Sequence, residues 1–480
     1  MKNENTNIKA VEVKNYSFRY SNGLDVLKDC SFSLKYGEFT LLSGLSGEGK
    51  STLLSAISGI IPNCIDGQCA GEIFVDGQPI DGLKITDIAR KVGYVLQNPD
   101  SQIFHSRVSD EIAFGCENLN LPPEEIDRRI RYASGLFDLD PNAATRTLSR
   151  GQKQRLMAGC ILAMGQKILL LDEPLANLDL EGSRLLLGTL KDLCQMGYAV
   201  LLVEHRLDVV IPYADTVLML ENGTVKQANK TALSYERLKK LPSFDAALAP
   251  GEPLLAVANL AYNVKGTEIL SDINFELRKG ERMVVLGDNG SGKTTLLRLI
   301  AGLIKPTSGY IDTAIDVKPG SRAWFKWVGY IYQEPSYQLF MPSVKQELDY
   351  GARPGWARRC LDAFGLEPIA AQHPHSLSEG QKRRLSIAAV SATAPELLLL
   401  DEPTVGQDFE HLRLLVNSLN EIHAQTGNAM ITITHDYRCA EALADIVIWI
   451  KGGVVFKSGG KELIKEYFAD SSQHQHLPSF

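Results

Sequence analysis

Short apolar runs alternate with longer amphipathic stretches along this chain of 480 residues. Phe39 to Leu42, Ile168 to Leu171 and Ala199 to Val203 are strand-sized runs that contain hardly any polar residues. Such runs are typical of strands that are buried on both faces of a mostly parallel sheet. The stretches between them have the length and spacing of helices, so the pattern predicts an α/β fold.

Two of the predicted helices have positions that bear on function. Ser51 to Ile57 continues as a helix directly from a glycine-rich loop. Pro122 to Phe137 has apolar residues at helical spacing and lies between the polar motifs described below. We expect this second segment to belong to a helical subdomain inserted into the α/β fold.

The chain contains one internal repeat, which is the size of a whole domain. Five segments of the first half return in the same order in the second half. The pairs are GLSGEGKST at Gly44 and GDNGSGKTT at Gly287, VLQNPDSQIF ending at Phe104 and YIYQEPSYQLF ending at Phe340, LSRGQ at Leu148 and LSEGQ at Leu377, LLLDEP at Leu169 and at Leu398, and VEHR at Val203 and ITHD at Ile433.

The two halves are separated by a stretch that resists regular structure, since prolines and a glycine cluster at Ala249 to Pro253. We predict a first domain over residues 1–241, a linker over 242–253 and a second domain over 254–469. Residues 470–480 form a polar tail, and His474 and His476 within it are expected to be solvated and not to bind a metal.

Composition and charge disfavour several classes of protein. The formal net charge of −7 argues against a duplex nucleic-acid partner, because neutralising phosphates needs a basic face. The eight cysteines include no CxxC pair, so reduced thiols are predicted, and no second pair joins Cys64 and Cys69 in a metal site. The polar N-terminus predicts no signal peptide. No run of about 18 apolar residues occurs, so no membrane span is predicted.

Two segments fit the pattern GxxxxGK[ST], in which glycine amides surround phosphate groups and the following helix points its positive end at them. Lys50 and Lys293 would supply positive charge to the β and γ phosphates, and the hydroxyls of Ser51 and Thr294 would bind Mg²⁺. The predicted ATP-binding residues of the two loops are Gly44, Gly47, Gly49, Lys50, Ser51, Thr52, Gly287, Gly290, Gly292, Lys293, Thr294 and Thr295.

Each half has an Asp-Glu pair at the end of an apolar strand. A carboxylate in that place lies at the carboxyl edge of the sheet, beside the phosphates. Asp172 and Asp401 are therefore predicted to hold Mg²⁺. Glu173 and Glu402 are predicted to act as general bases on the attacking water.

Other polar or aromatic residues recur at matching positions. His205 and His435 each follow a later apolar strand, where a histidine can contact the γ-phosphate and orient the water. Amides and rings can also contact the nucleotide. Gln97 and Gln333 are predicted to reach Mg²⁺ and the γ-phosphate, and Tyr20 and Tyr262 to stack on adenine, with core packing an open alternative for the tyrosines.

LSRGQ and LSEGQ resemble the signature motif of ABC transporter ATPases, and the complete motif set covers nearly the whole chain. The resemblance implies two tandem P-loop NTPase domains, each with a mostly parallel core sheet, an antiparallel β subdomain and an inserted helical subdomain. It also implies a head-to-tail pair in which each ATP contacts the signature of the other half. The residues so implied are Ser149, Gly151, Gln152, Ser378, Gly380 and Gln381, with Asp179 and Asp408 linking the two sites.

A narrower resemblance is to the ATPases of energy-coupling factor transporters. It rests on QNPDSQIF at Gln97, QEPSYQLF at Gln333, and the segments Val108 to Gly115 and Val203 to Arg206. It implies an integral membrane coupling protein, a substrate-binding membrane protein for a vitamin or a transition-metal ion, and a peripheral place on the cytoplasmic face of the membrane. The residues implied to line the docking grooves are Pro99, Gln102, Phe104, Pro335, Gln338 and Phe340.

The sequence departs from the ABC pattern at Glu48, Arg150, Glu379 and Gln407, so we expect the two sites to differ in rate. Two other functions remain as alternatives. One is the tandem ATPase of a sugar importer, which commonly has one degraded site, whereas both lysines and both glutamates are present here. The other is a soluble tandem cassette protein acting on ribosomes or DNA, which the negative charge disfavours.

Overall fold

The computed structural model describes residues 9–176, 178–230, 241, 251–315, 317–404, 407 and 409–470. The chain divides into two compact units, Met1–Lys239 and Lys240–Phe480. The predicted D-loop residue Asp408, most of the predicted linker and the tail with His474 and His476 lie outside the described residues. Within them, no helix is both long and apolar enough to span a bilayer.

The first unit contains ten strands and eight α-helices among its described residues. The strands are β1 Lys9–Tyr20, β2 Asp25–Lys35, β3 Phe39–Ser43, β4 Gly67–Val75, β5 Gln78–Pro79, β6 Val92–Val95, β7 Ile168–Asp172, β8 Ala199–Val203, β9 Thr216–Glu221 and β10 Thr224–Gln227. The helices are α1 Lys50–Ile57, α2 Ile60–Asn63, α3 Ile85–Ile88, α4 Val108–Asn118, α5 Pro123–Leu136, α6 Arg150–Met164, α7 Leu180–Gln195 and α8 Leu207–Val210.

The core sheet of the first unit has the order β10-β9-β3-β8-β7-β6, with only β10 antiparallel to its neighbour. Every residue of β3, β7 and β8 is buried, as the continuous apolar runs predict. A separate antiparallel sheet has the order β2-β1-β4-β5. The helices α4, α5 and α6 pack on one another as the predicted helical subdomain.

The second unit repeats this architecture. Its strands are β11 Pro253–Val264, β12 Thr267–Arg278, β13 Arg282–Leu286, β14 Ser308–Thr313, β15 Val328–Ile331, β16 Leu397–Asp401, β17 Ala429–Ile433, β18 Ile446–Lys451 and β19 Val454–Gly459. Its helices are α9 Lys293–Ile300, α10 Trp324–Trp327, α11 Val344–Asp349, α12 Trp356–Ala363, α13 Glu379–Ala392, α14 Phe409–Thr426, α15 Tyr437–Leu443 and α16 Glu462–Asp470.

The core sheet of the second unit has the order β15-β16-β17-β13-β18-β19, with only β19 antiparallel. Its antiparallel sheet has the order β12-β11-β14. The helices α11, α12 and α13 pack on one another as its helical subdomain. The predicted fold class is therefore confirmed in both units.

The two compact units divide between Lys239 and Lys240, two residues before the predicted end of the first domain at residue 241. Leu241, predicted as the last residue of the first domain, is buried in the core of the second unit with Val284 and Leu286. The predicted linker ends where β11 begins, at Pro253. The domain bounds as a whole stay a prediction.

A buried ion pair fixes the first residue of β13. The side chain of Arg282 is only 2% exposed, and its Nε and Nη2 donate to the two carboxylate oxygens of Asp445 at 2.9 and 2.7 Å. Nη1 donates to Oδ1 of Asn420 at 3.2 Å. In the first unit the corresponding Asp215 pairs with Lys191, whose side chain is 30% exposed. The second unit therefore buries a charge where the first keeps its ion pair near solvent.

Candidate active sites

The first glycine loop joins β3 to α1, and its three motif glycines have backbone angles that favour glycine. Gly44, Gly47 and Gly49 have φ values of 153°, 85° and 99°. A Cβ on Gly44 would lie 2.3 Å from the carbonyl oxygen of Leu220, so only glycine fits there.

The second loop, between β13 and α9, has the same geometry. Gly287, Gly290 and Gly292 have φ values of 150°, 81° and 96°. A Cβ on Gly287 would lie 2.3 Å from the carbonyl oxygen of Ile450. Both loops therefore bring backbone close to the neighbouring strand and leave their amides at a helix N-terminus, which is the arrangement that binds phosphate.

The lysine of each loop is buried and folds back over the loop. Lys50 Nζ donates to the carbonyl oxygens of Gly44 and Leu45 at 2.9 and 2.8 Å. Lys293 Nζ donates to those of Gly287 and Asp288 at 2.7 and 2.8 Å. Each ammonium group thus lies inside its loop, where it can neutralise phosphate charge.

The aspartates at the ends of β7 and β16 lie beside the loop hydroxyls, as predicted. Thr294 Oγ1 donates to Asp401 Oδ1 at 3.1 Å, and the Ser51 hydroxyl bonds Asp172. Burial raises the pKa of both aspartates, while these hydrogen bonds act in the opposite direction. A hydroxyl and a carboxylate are the hard oxygen ligands that Mg²⁺ prefers, so these residues fit the ion, which would also lower both pKa values.

Two tyrosines complete the aspartate environments and were not predicted as site residues. Tyr94 OH donates to Asp172 Oδ2 at 3.2 Å, and Tyr330 OH donates to Asp401 Oδ2 at 3.1 Å. The signal in the sequence was the Gly-Tyr pair that precedes the glutamine in both halves.

Both predicted general bases have an unusual backbone. Glu173 and Glu402 follow their strands with φ values of 47° and 51°, in the left-handed region that is strained for a residue with a Cβ. Their amides donate to the ends of the neighbouring strands, at Val203 O and Ile433 O. The same strain at the same place in both units holds each carboxylate at the edge of the sheet.

In the first unit the structure brings three predicted residues together. His205 Nε2 lies 3.0 Å from Glu173 Oε1, and Gln97 Nε2 donates to Glu173 Oε2 at 2.7 Å. Burial alone would raise the pKa of Glu173. The hydrogen bond and charge of His205, with Lys50 and Gln97, outweigh it, so the net pKa is lowered.

In the second unit His435 Nε2 lies 3.2 Å from Glu402 Oε1. Here burial prevails over the charge of Lys293 and raises the pKa of Glu402 to about 7. Among the described residues, the side chain of Gln333 donates no hydrogen bond to Glu402, although its backbone carbonyl accepts one from Arg383. The two glutamates therefore have opposite pKa shifts.

The signature serines and glutamines cap their helices. Ser149 and Gln152 form a capping box at the start of α6, and Ser378 and Gln381 form one at the start of α13. Asp179 is the N-cap of α7 and accepts from the amide of Gly182 at 2.8 Å. These contacts give each residue a structural role in its own unit, and their predicted contacts with ATP, like that of Gly151, stay predictions.

The two aromatic candidates lie near the ends of β1 and β11. Tyr20 OH is 2.9 Å from Thr52 Oγ1, and its ring packs edge-on against Phe18 at 4.8 Å. Tyr262 is partly buried against the core of the second unit. Stacking on adenine stays a prediction for both.

Two polar residues around His205 also escaped the sequence-based prediction. Glu204, only 2% exposed, accepts from the amides of His205 and Leu175 at 2.7 and 3.2 Å. Arg206 Nη1 donates to the carbonyls of Leu175 and Leu178 at 3.2 and 2.9 Å. They tie the histidine turn to the segment before Asp179. The repeat did not reveal them because the second half has different residues, Thr434 and Asp436, at these positions.

The predicted docking residues differ in what they contact. Gln102 and Gln338 each clamp the end of a strand, donating to Tyr94 O at 2.9 Å and Tyr330 O at 2.7 Å. Phe104 and Phe340 are 74% and 63% exposed. In the second unit a groove of about 380 Å³ contains Gln338 and Phe340, together with Phe325, Tyr337 and Tyr350. Pro99 and Pro335 are buried, each in the short 3₁₀ turn that precedes the glutamine of its own unit.

The sequence matches the ABC transporter family model over residues 27–176 and 270–405. A Methanosarcina acetivorans protein, provisionally named an ABC transporter ATP-binding protein, is 33% identical over 92% of this chain and 84% of its own. The chain belongs to the ABC transporter ATP-binding family. A Bacillus subtilis relative of this family, provisionally named an HMP/thiamine import ATP-binding protein, is 33% identical over 95% of this chain and 92% of its own.

A solved structure of an RNase-L inhibitor has the same fold, with a TM-score of 0.69 and 19% identity over 95% of this chain and 93% of that one. Likeness at that level concerns the fold alone. Membership of the ABC transporter ATP-binding family supports ATP hydrolysis, and the duplicated motifs are the residues through which this chain would perform it.

Proposed function

We propose that this protein is the ATP-hydrolysing subunit of a membrane transporter of the energy-coupling factor type, which imports a vitamin or a transition-metal ion. The observation that carries the proposal is the glutamate–histidine pair present in both units, at 3.0 and 3.2 Å. Because neither site has lost its lysine, its glutamate or its histidine, a motor with two working sites is favoured over a sugar-importer ATPase with one degraded site.

The chain's own residues suggest how hydrolysis proceeds. Lys50 and Lys293 neutralise the phosphates, and Glu173 and Glu402 accept the proton of the attacking water. His205 and His435 hold those carboxylates in place. When bound, Mg²⁺ supplies neutralising charge at the phosphates and would be held by Ser51, Gln97 and Asp172 in one site and by Thr294, Gln333 and Asp401 in the other. The signature residues remain proposed ATP contacts, as the family resemblance implies.

The proposed partners are an integral membrane coupling protein and a substrate-binding membrane protein, with the chain peripheral on the cytoplasmic face. Support comes from the exposed aromatic rings of Phe104 and Phe340 and from the groove of the second unit. Clusters of exposed aromatic residues are typical of binding surfaces. The name of the Bacillus subtilis relative, which refers to HMP/thiamine import, agrees with this class of cargo.

Changing Phe104 and Phe340 to aspartate should detach the membrane partner and leave the ATPase active. Loss of an aromatic anchor costs about 2 kcal/mol or more of binding free energy, which is about thirtyfold in affinity. The measurement is the recovery of integral membrane proteins with affinity-purified F104D/F340D, compared with wild type, alongside the ATP hydrolysis rate.

The matched control is Y310D, which places the same charge at a 59% exposed ring on β14 of the antiparallel sheet. We expect Y310D to retain the partner. Equal recovery with F104D/F340D would reject the docking surface. Salt-sensitive binding of the wild-type chain to ribosomes or DNA, without any membrane protein, would favour the soluble alternative instead.

A further inference from the structure

The second unit contains a buried cation for which the first unit has no equivalent. Arg383 lies in α13, five residues after the signature serine Ser378, and is only 4% exposed. Gln154 occupies the matching position in α6, five residues after Ser149, and is 2% exposed. Burying a guanidinium group is unfavourable unless its N–H donors have hydrogen-bond acceptors, so the contacts of Arg383 determine whether it can be buried here.

Arg383 joins two loops of the active site. Its Nη1 donates to the carbonyl oxygen of Glu402 at 3.0 Å, and its Nη2 donates to the carbonyl oxygen of Gln333 at 2.8 Å. Gln333 follows β15 and Glu402 follows β16, while the arginine itself belongs to the helix that begins at the signature. One rigid planar group therefore fixes three elements relative to one another.

The first unit holds its glutamate, Glu173, through different contacts. Gln154 Nε2 donates to the Gln97 carbonyl at 3.2 Å, and its Oε1 has no hydrogen-bond partner within the described part of the chain. Glu173 is instead held directly, because the side chain of Gln97 donates to its carboxylate at 2.7 Å. In the first unit, therefore, the side-chain amide of Gln154 needs to bond only the Gln97 carbonyl, because Gln97 itself holds the carboxylate of Glu173.

In the second unit, the hydrogen bonds from Arg383 to the backbone carbonyls of Glu402 and Gln333 hold the glutamate instead. Glu402 has a strained backbone with a φ of 51°, and among the described residues its carboxylate forms a side-chain ion pair with His435, at 3.2 Å. A clamp on its carbonyl keeps the strained conformation and so keeps the carboxylate beside His435. We propose that Arg383 is a positioning residue of the second site, which aligns Glu402 and the Gln333 loop with the signature helix. This inference rests on the proposed ATPase function.

The test is R383Q, which gives the second unit the residue of the first. Misplacement of the base by about 1 Å lowers the rate by about 100-fold, so the turnover that depends on Glu402 should fall by between about 10- and 100-fold. The KM for ATP should change less than kcat, because Arg383 does not touch the glycine loop and a glutamine at this position can still bond the Gln333 carbonyl, as Gln154 bonds that of Gln97. R383K, which keeps the charge but loses the fork, should give an intermediate rate and covers the case in which R383Q does not fold.

A double-mutant cycle separates positioning from general loss of structure. In an E402Q background R383Q should have no further effect on turnover, since the arginine acts through that glutamate. In an E173Q background, where the remaining turnover depends on Glu402, the full loss should appear. K382Q removes a charge from the neighbouring helix position, which pairs only with Glu379 among the described residues, and should match wild type.

An equal loss in the E402Q background, or a loss accompanied by a matching rise in KM, would overturn the assignment. So would wild-type turnover by R383Q. These results differ from failure of the proposed function, in which the wild-type chain itself would not hydrolyse ATP.

Discussion

Replacing Glu173 and Glu402 together by glutamine should lower the steady-state rate of ATP hydrolysis by about 100- to 10,000-fold, the usual contribution of a general base. Glutamine has nearly the same shape but cannot accept the proton of the attacking water. The glycine loops and both lysines are untouched, so ATP should still bind and accumulate in an unhydrolysed state. Phosphate release and the binding of radiolabelled ATP to the E173Q/E402Q protein measure the two effects separately.

E396Q is a suitable control, because Glu396 is an exposed carboxylate that pairs with Lys279 at 3.3 Å away from the loops. It should hydrolyse ATP at the wild-type rate. Near-normal turnover by E173Q/E402Q would mean that these glutamates are not the bases, and would remove the main support for a motor with two sites.

Changing Asp445 to alanine should destabilise the second unit by about 3–5 kcal/mol, because it leaves the buried guanidinium of Arg282 without its neutralising carboxylate. The matching change D215A removes an ion pair with a partly exposed lysine, which contributes no more than about 1 kcal/mol. Both aspartates also accept a backbone amide, that of Phe39 or of Arg282, so this loss is common to the two variants. The ratio between these two effects is the informative quantity, since the aspartates occupy equivalent places in the two repeats.

The distribution of tryptophan makes this measurement selective. All four tryptophans of the chain, Trp324, Trp327, Trp356 and Trp449, belong to the second unit. Intrinsic fluorescence during urea denaturation therefore reports the unfolding of that unit. D445A should move this fluorescence transition to lower urea concentration. Asp215 belongs to the unit without tryptophan, so the smaller effect of D215A is measured by circular dichroism during the same urea titration. Equal shifts for the two variants would show that the burial of Arg282 does not set the stability of the second unit.

Much of this fold could be predicted because its signals are local in sequence. A strand buried on both faces is apolar throughout, as in β7 and β16, and a glycine loop between strand and helix has a fixed spacing. The contact of Glu173 with His205 and Gln97 was also accessible, because the same three residue types recur in order in the other half.

The contacts that escaped prediction depend on side chains far apart in sequence. Nothing around Arg282 indicates that Asp445 will neutralise it, because the pair forms only when β13 and β18 become neighbours. The arginine–glutamine difference at Arg383 and Gln154 is visible in the sequence, but its meaning depends on which carbonyls lie within reach. The capping boxes at Ser149 and Ser378 are a different case, since their S-x-x-Q spacing is a recognised local signal that the signature motif obscured.

The left-handed backbone at Glu173 and Glu402 has a consequence for how this protein can be altered. Glycine adopts those angles freely, whereas glutamate is held there at the expense of about 1–3 kcal/mol of conformational strain. Selection for thermal stability alone would therefore favour glycine at both positions and discard the bases. Each repeat therefore retains a conformationally strained glutamate at the position of the proposed base. Substitutions intended to raise thermal stability should leave these two positions unchanged and be made elsewhere in the chain.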